Sequence, residues 1–258
     1  MILLETQLAS WLADFFWPFI RIGAVFAAAP VFSAKQVQAR HRVILALLVT
    51  LVAAPVLPKM PMVEVMTPQW VLLIVQQLAI GLMMGFILQM VFGALVFGGQ
   101  MMALKMGLGF ATMVDPGSGM NAPVVAQIFL IMATLLFVVT NSHLILIQLV
   151  VESFHTLPVG AKFDSIHLWN LVSWASRMFA GGLLMSLPIV GTLLLVNLGM
   201  GIMARAAPQF NLFSIGFAIT ILLGIIIIWI SMANIMTEFL DLLDEAFGLV
   251  AGTVGIEP

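Results

Sequence analysis

Read from its N-terminus, the chain alternates long apolar runs with short polar stretches. The first run covers about residues 11–32 and holds Asp14, Pro18, Arg21 and Pro30. Proline lacks an amide hydrogen and crowds the preceding helical turn, so Pro18 predicts a kink and Pro30 an end or second bend. The next run, 43–57, is short for a bilayer crossing and passes into a connector marked by Pro55, Pro58, Pro61 and Pro68. Residues 65–104 carry no charge. One straight helix of that length would measure about 60 Å, twice the hydrocarbon thickness. The run is therefore expected to break, tilt or extend beyond the bilayer inside an assembly. A further uncharged run covers 124–151, and 152–170 reads as the longest polar connector, a solvated loop. Arg177 and Arg205 frame 27 uncharged residues with Pro188 as an expected kink, and Pro208 is the expected terminator. The last run, 212–237, leads into an acidic amphipathic end. There Phe239, Leu240, Leu243, Ala246 and Phe247 share a face opposite Glu238, Asp241, Asp244 and Glu245. That end is expected at a surface or against a partner, not across lipid.

Composition turns these runs into a class. The 258 residues are 63% hydrophobic and 8% charged. A soluble domain needs about 25% charged residues to build its surface. The chain is expected to be an all-α integral membrane protein of about six hydrophobic segments. A net charge of −2 with no long basic run gives nucleic acid nothing to bind. Without cysteine there are no disulfides and no thiolate metal sites. Glu5 stands where a cleaved leader would carry a basic residue, so the N-terminus is read as uncleaved.

Polar residues inside the runs are the informative ones. A mid-bilayer arginine costs about 2.5–3.5 kcal/mol, so Arg21 is expected to face protein or water, with Asp14 on the same face but out of reach. Gln77, Gly81, Gly85, Gln89 and Gly93 recur every four residues, a small-and-polar stripe that suits close helix packing. Asn197, Gly201 and Arg205 repeat the spacing. Lys35, Arg40, His41 and Arg42 read as a positive-inside topology signal, which puts both termini outside. His143 has no carboxylate in its run and reads as a hydrogen-bonded interhelical histidine. Glu152 and His155 fall short of a metal site.

Residues 105–123 interrupt the apolar pattern with Gly107, Gly109, Gly117 and Gly119 and the turn pair Asp115-Pro116. On these residues alone the stretch is a connector, a ligand clamp or part of a gate. No Walker loop, dinucleotide fingerprint, metalloprotease motif or nucleophile elbow occurs, so no enzyme is expected and no cofactor or metal is assigned. The uncharged runs from residue 65 onward also lack the carboxylate pairs of ion-coupled transporters. A small-solute transporter remains the alternative from a different class.

Two stretches carry a resemblance. MGLGFATMVDPGSGMNAPV in the loop and NLGMGIMARAAPQFNLFSIGF at 197–217, with the earlier RIGAVFAAAPVF, are similar to the FliR family of flagellar type III export proteins. Arg205, Ala206, Pro208, Gln209, Asn211, Phe213 and Gly216 carry it most specifically, and it extends over the whole chain. VQARHRV at 37–43 departs from it by lacking an expected proline. The resemblance implies a subunit of the export gate in the bacterial inner membrane, within the flagellar basal body, or the equivalent subunit of a virulence secretion system. It implies kinked helical hairpins like fused FliP-like and FliQ-like units, in one domain over 1–258 with a plug-like loop at 106–122 and the acidic end at 238–258. Implied partners are FliP-like and FliQ-like subunits, FlhB-like and FlhA-like proteins, and unfolded flagellar substrates in transit. In the plug, Phe110, Met113, Val114 and Met120 would seal the pore, because bulky apolar groups dewet a constriction. Gly107, Gly109, Gly117 and Gly119, with Asp115 and Pro116, would shape and move it. Pro208, Gln209 and Asn211 join the two stripes as implied assembly positions.

Overall fold

The computed structural model describes residues 2–34, 36–108, 124–162, 165–206 and 212–256; the side chains of 2–9, 165–167 and 212–215 are not described. Seven α-helices account for most of these residues. They are α1 (Ile2–Ala28), α2 (Ala39–Ala53, extended by a 3-10 turn over Ala54–Val56), α3 (Pro68–Lys105), α4 (Val124–Val139), α5 (Ser142–Thr156), α6 (Ser165–Ala206) and α7 (Leu212–Thr253). Among the described residues five stretches are long and apolar enough to cross a membrane, and α4 with α5 makes a sixth if the bent pair is one span. The fold is all-α and membrane-type, as lipid requires of backbone that must satisfy its own hydrogen bonds.

The helix ends follow local chemistry. Thr67 caps α3, its hydroxyl accepting from the Trp70 amide at 3.2 Å with Pro68 in the first helical position. α3 closes on Gly107 at φ +85°, where the Leu108 amide donates to Ala103 O and the Gly107 amide to Leu104 O. That pair of bonds is a Schellman cap, which needs a left-handed residue after the last turn.

Several sequence expectations are corrected. Of the three outcomes expected for the 65–104 run, a break is set aside, since α3 (Pro68–Lys105) is one helix of 38 residues; tilting or extending beyond the bilayer are left. The 124–151 run is two helices bent by 64°, with Asn141 left-handed at φ 56° in the break. Asparagine tolerates that conformation, and no proline or glycine announces it. The 152–170 loop is shorter than expected, because α5 carries Glu152 and His155 in its last turns and α6 starts at Ser165. The second run starts at Ala39, inside the basic cluster. Pro18 and Pro188 lie inside the continuous helices α1 and α6, and α1 ends at Ala28, just before Pro30, as expected. The acidic end continues the last run as the final part of α7, and its two faces fall as the pattern predicts, with Phe239, Leu243, Ala246 and Phe247 buried and Glu238, Asp241, Asp244 and Glu245 exposed.

The chain divides into two compact units, each discontinuous in sequence. The first joins Met1–Met90, Phe137–Trp174 and Asp244–Pro258. Its core is lined by Trp17, Ile22, Val25 and Phe26 of α1, against which α2 and α5 pack. α1 also ties down the proline-rich connector: Trp17 Nε1 donates to Pro61 O at 3.2 Å, and the Met60 amide donates to Asp14 Oδ1 at 2.9 Å. The second unit joins Val91–Leu136 and Ala175–Leu243. In it α3 and α6 touch backbone to backbone, since a Cβ on Gly98 would lie 2.8 Å from Gly182 O. α4 approaches Gly99 in the same way through Ala126, and Phe92 meets Phe239 edge-on at 5.5 Å.

Candidate functional site

The glycine-rich stretch begins on a fixed stem in the second unit. After Lys105, which is exposed, the Schellman cap turns the chain at Met106–Leu108. α7 braces this turn. A Cβ on Gly107 would lie 2.7 Å from Phe217 Cε1, and one on Gly224 would lie 2.6 Å from Met106 Cγ. The Thr220 hydroxyl lies 3.3 Å from Met106 O and 3.0 Å from Gly216 O, so it holds the turn while bonding its own helix. Met106 is buried, and Thr220 is 3% exposed. The stem is therefore a shape-matched contact in which a side chain at Gly107 or Gly224 would displace Phe217 or Met106. Gly109, Phe110, Met113, Val114, Asp115, Pro116, Gly117, Gly119 and Met120 lie outside the described residues, as do Pro208, Gln209 and Asn211.

Phe217, Thr220 and Gly224 were not picked out by sequence reasoning as loop partners. One signal was present: Gly216, Thr220 and Gly224 repeat the four-residue spacing that flagged the other stripes.

The stripes separate on inspection. Gln77, Gly81 and Gly85 face α1 within the first unit. A Cβ on Gly85 would lie 2.7 Å from Ala29 N and 2.8 Å from Val25 O, and Gly81 sits as tightly against Arg21 O and Ala24. Gln89 is exposed on this chain, and Gly93 faces Met178 in the second unit. Along α6, Asn197 is half-buried, Gly201 and Arg205 are exposed, and nothing lies within 4 Å of a Cβ on Gly201.

Arg21 organises the first unit. It is fully buried. Its Nε donates to Gln77 Oε1 at 2.8 Å, Nη1 donates to Ser153 O and Oγ at 2.9 Å, and Nη2 donates to Leu157 O at 2.9 Å. The guanidinium carbon lies 4.1 Å from the Phe154 ring centroid. Ser153 O and Leu157 O belong to the C-terminal end of α5, where unpaired carbonyls gather partial negative charge. Arg21 thus takes its compensation from a helix end, an amide and a ring face; among the described residues no carboxylate pairs with it. The expectation that Arg21 turns away from lipid agrees with this geometry. The expectation for His143 does not: its Nδ1 is buried with no hydrogen-bond partner. His143 is the second residue of α5, just beyond the break, and Ser142, beside it, shares a 2.7 Å bond with Thr140.

No group of three or more His, Cys, Asp or Glu that would hold a metal occurs among the described residues. What this architecture offers is a set of packed helices, a loop stem held by α7 and wide apolar faces.

Comparison with known proteins gives the family. The family model described as "Bacterial export proteins, family 1" matches residues 12–246. The "Flagellar biosynthetic protein FliR" of Escherichia coli (strain K12) is 40% identical over 253 residues, covering 98% of this chain and 97% of the relative. The protein of that name from Pectobacterium carotovorum subsp. carotovorum is 38% identical over 246 residues, covering 95% and 94%. That of Bacillus subtilis (strain 168) is 30% identical over 221 residues, covering 84% and 85%. With the family model spanning nearly the whole chain and relatives matched end to end, this protein belongs to the FliR family of flagellar export proteins.

Proposed function

We propose that this chain is a structural and gating subunit of the flagellar protein export gate, helping to form and seal the inner-membrane pore for unfolded flagellar substrates. The observation that carries the reading is the family match over residues 12–246, joined to near full-length identity with proteins named for flagellar biosynthesis. The surface supports it. Leu194, Leu195, Leu198 and Ile202 on α6, and Leu222, Ile225, Trp229 and Ile230 on α7, are all exposed on the isolated chain. Apolar area of that extent has to be covered by lipid or by neighbouring subunits. FliP-like and FliQ-like chains in one helical complex, with FlhB-like and FlhA-like proteins attached, are the partners proposed. The role assigned is structural; no residue is given a catalytic task.

The plug belongs to the same proposal. Phe110, Met113, Val114 and Met120 would close the pore by excluding water, and the glycines would let the loop withdraw when a substrate enters. The fixed stem at Met106 and Gly107 supports a loop that swings from one anchored end.

The test is purification of the tagged chain from native membranes. A gate subunit comes out in a stable complex with FliP-like and FliQ-like chains. Deleting residues 110–119 should then raise the ion conductance of the reconstituted complex; unchanged conductance would end the plug assignment. Solute uptake by the purified chain alone would favour a transporter instead.

A further inference from the structure

α2 exposes a wide apolar surface in the first unit, and its pattern says what covers it. With its 3-10 turn the stretch Ala39–Val56 has 18 residues. That is about 27 Å at 1.5 Å per residue, close to the hydrocarbon thickness of about 30 Å. Only Ala46, Thr50 and Ala53 of α2 are buried, and the Thr50 hydroxyl is satisfied within the helix by Ala46 O at 2.7 Å. Val43, Ile44, Leu47, Leu48, Leu51 and Val52 are exposed, Val52 to 74%. At about 100° per residue these six positions sweep about 180° of the circumference. A single packing helix covers a stripe of about 100°, so half of α2's circumference is more than one neighbour can seal.

Charge then distinguishes the two ends. Arg40 and His41 are exposed at the N-terminal end of α2, on the side of the apolar arc. Arg42 is turned the other way, its Nη2 donating to Ser33 O, Ala34 O and Val37 O, so it closes the α1–α2 loop and does not reach outward. Beyond the opposite end the exposed Lys59 is offset by the exposed Glu64.

We propose that the outer face of α2 is a lipid contact, with its N-terminal end set in a leaflet rich in anionic phospholipid and Arg40 and His41 at the headgroups. This surface is separate from the plug and does not depend on what the assembly carries. An apolar band of bilayer length with uncompensated positive charge at one end matches the acyl chains and headgroup of an anionic lipid. A protein neighbour would have to supply two helices and an acidic patch to match the same surface. The contact also orients the chain: the 33–42 loop lies on the anionic side and the Pro55–Pro61 connector on the other.

The sequence contains no cysteine, so single cysteines at Leu48 and Val52 can each carry a spin label on the full chain, purified with whatever subunits accompany it and placed in nanodiscs. The expected result is high accessibility to dissolved oxygen and low accessibility to an aqueous nickel chelate. Low accessibility to both reagents would show a protein neighbour on this face and overturn the proposal, as would high nickel accessibility. Lipid retained through purification is measured alongside, from mixed phosphatidylcholine and phosphatidylglycerol. Arg40→Ala should lower the affinity for phosphatidylglycerol about fivefold, with a further fall for the Arg40→Ala/His41→Ala pair, while Lys59→Ala leaves it unchanged. If Lys59→Ala and Arg40→Ala act equally, or neither acts, the headgroup assignment fails.

Discussion

Arg21 and Gln77 stand 56 residues apart in sequence and meet at 2.8 Å, both side chains fully buried. The guanidinium goes on from there to the end of α5 at Ser153 and Leu157. One side chain thus ties α1, α3 and α5 together. A buried charge is costly unless its hydrogen bonds are made, and here the donors reach a side-chain amide, a hydroxyl and two backbone carbonyls.

Arg21→Ala should therefore be strongly destabilising. It strips donors from Gln77 Oε1, Ser153 O and Leu157 O, at about 1–3 kcal/mol for each acceptor left bare. Arg21→Lys keeps the charge but has no planar fork to serve three directions, so it should fall between the two. Thermal unfolding of the detergent-solubilised complex, or the yield of folded complex on native gels, gives the ranking. Equal stability of Arg21→Ala and the parent would show that the node contributes nothing.

A glycine contrast separates packing within the chain from packing in an assembly. A Cβ on Gly85 would lie 2.7 Å from Ala29 N, a backbone atom that cannot step aside, whereas a Cβ on Gly201 meets nothing within 4 Å. Gly85→Leu should thus lower the amount of folded chain whether or not partners are present. Gly201→Leu should leave the chain's own fold intact and, as a proposed assembly position, reduce only the recovery of partner subunits. Pulse-chase stability with and without co-expressed partners reads both. Loss of the isolated chain in Gly201→Leu would move that position to a structural role.

What was legible in the sequence follows from where the penalties are local. An arginine inside an apolar run must turn inward, and a Gln-Gly-Gly row at spacing four must meet a close backbone, so Arg21, Gln77, Gly81 and Gly85 could be read directly. The other half of the node could not. Ser153 O and Leu157 O are backbone carbonyls more than 130 residues away, and any residue type supplies one. Periodicity alone does not tell the parts of the stripe apart: Gly81 and Gly85 meet α1, whereas Gln89 is exposed on this chain. The bend at Asn141 left no proline or glycine to mark it. For His143 a run without carboxylates predicts an interhelical hydrogen bond, yet Nδ1 has none. At the loop, the sequence marks Gly107 only as an interruption of the apolar pattern; its work is a left-handed cap, and the Phe217 ring that stands against it comes from a distant helix.

The crossing of α3 and α6 should respond to bulk in the same graded way. Gly98 approaches Gly182 O closely enough that a Cβ would sit at 2.8 Å. Gly98→Ala should lower stability measurably and Gly98→Val more, because the obstruction is backbone on both sides. Overpacking of this kind costs about 1–3 kcal/mol. Protease resistance of α6 in the purified complex is the readout, and Gly191→Ala, whose Cβ meets nothing within 4 Å, is the control expected to be silent.

Gly107 allows the stem itself to be dissected. Its φ of +85° penalises any L side chain, and Phe217 separately occupies the space of a Cβ. Placing an ordinary L residue in left-handed backbone costs roughly 1–2 kcal/mol, less for asparagine. Gly107→Ala meets both penalties and should impair export, read as a smaller motility halo and reduced secretion of flagellar subunits. Adding Phe217→Ala removes the collision but not the strain, so the double variant should recover in part. Gly107→Asn with Phe217→Ala relieves both terms and should recover further. This ordering assigns the loop's anchored end to geometry, not to the chemistry of any side chain. If Phe217→Ala gives no recovery in either background, α7 does not brace the loop, and the stem loses its place in the gating proposal.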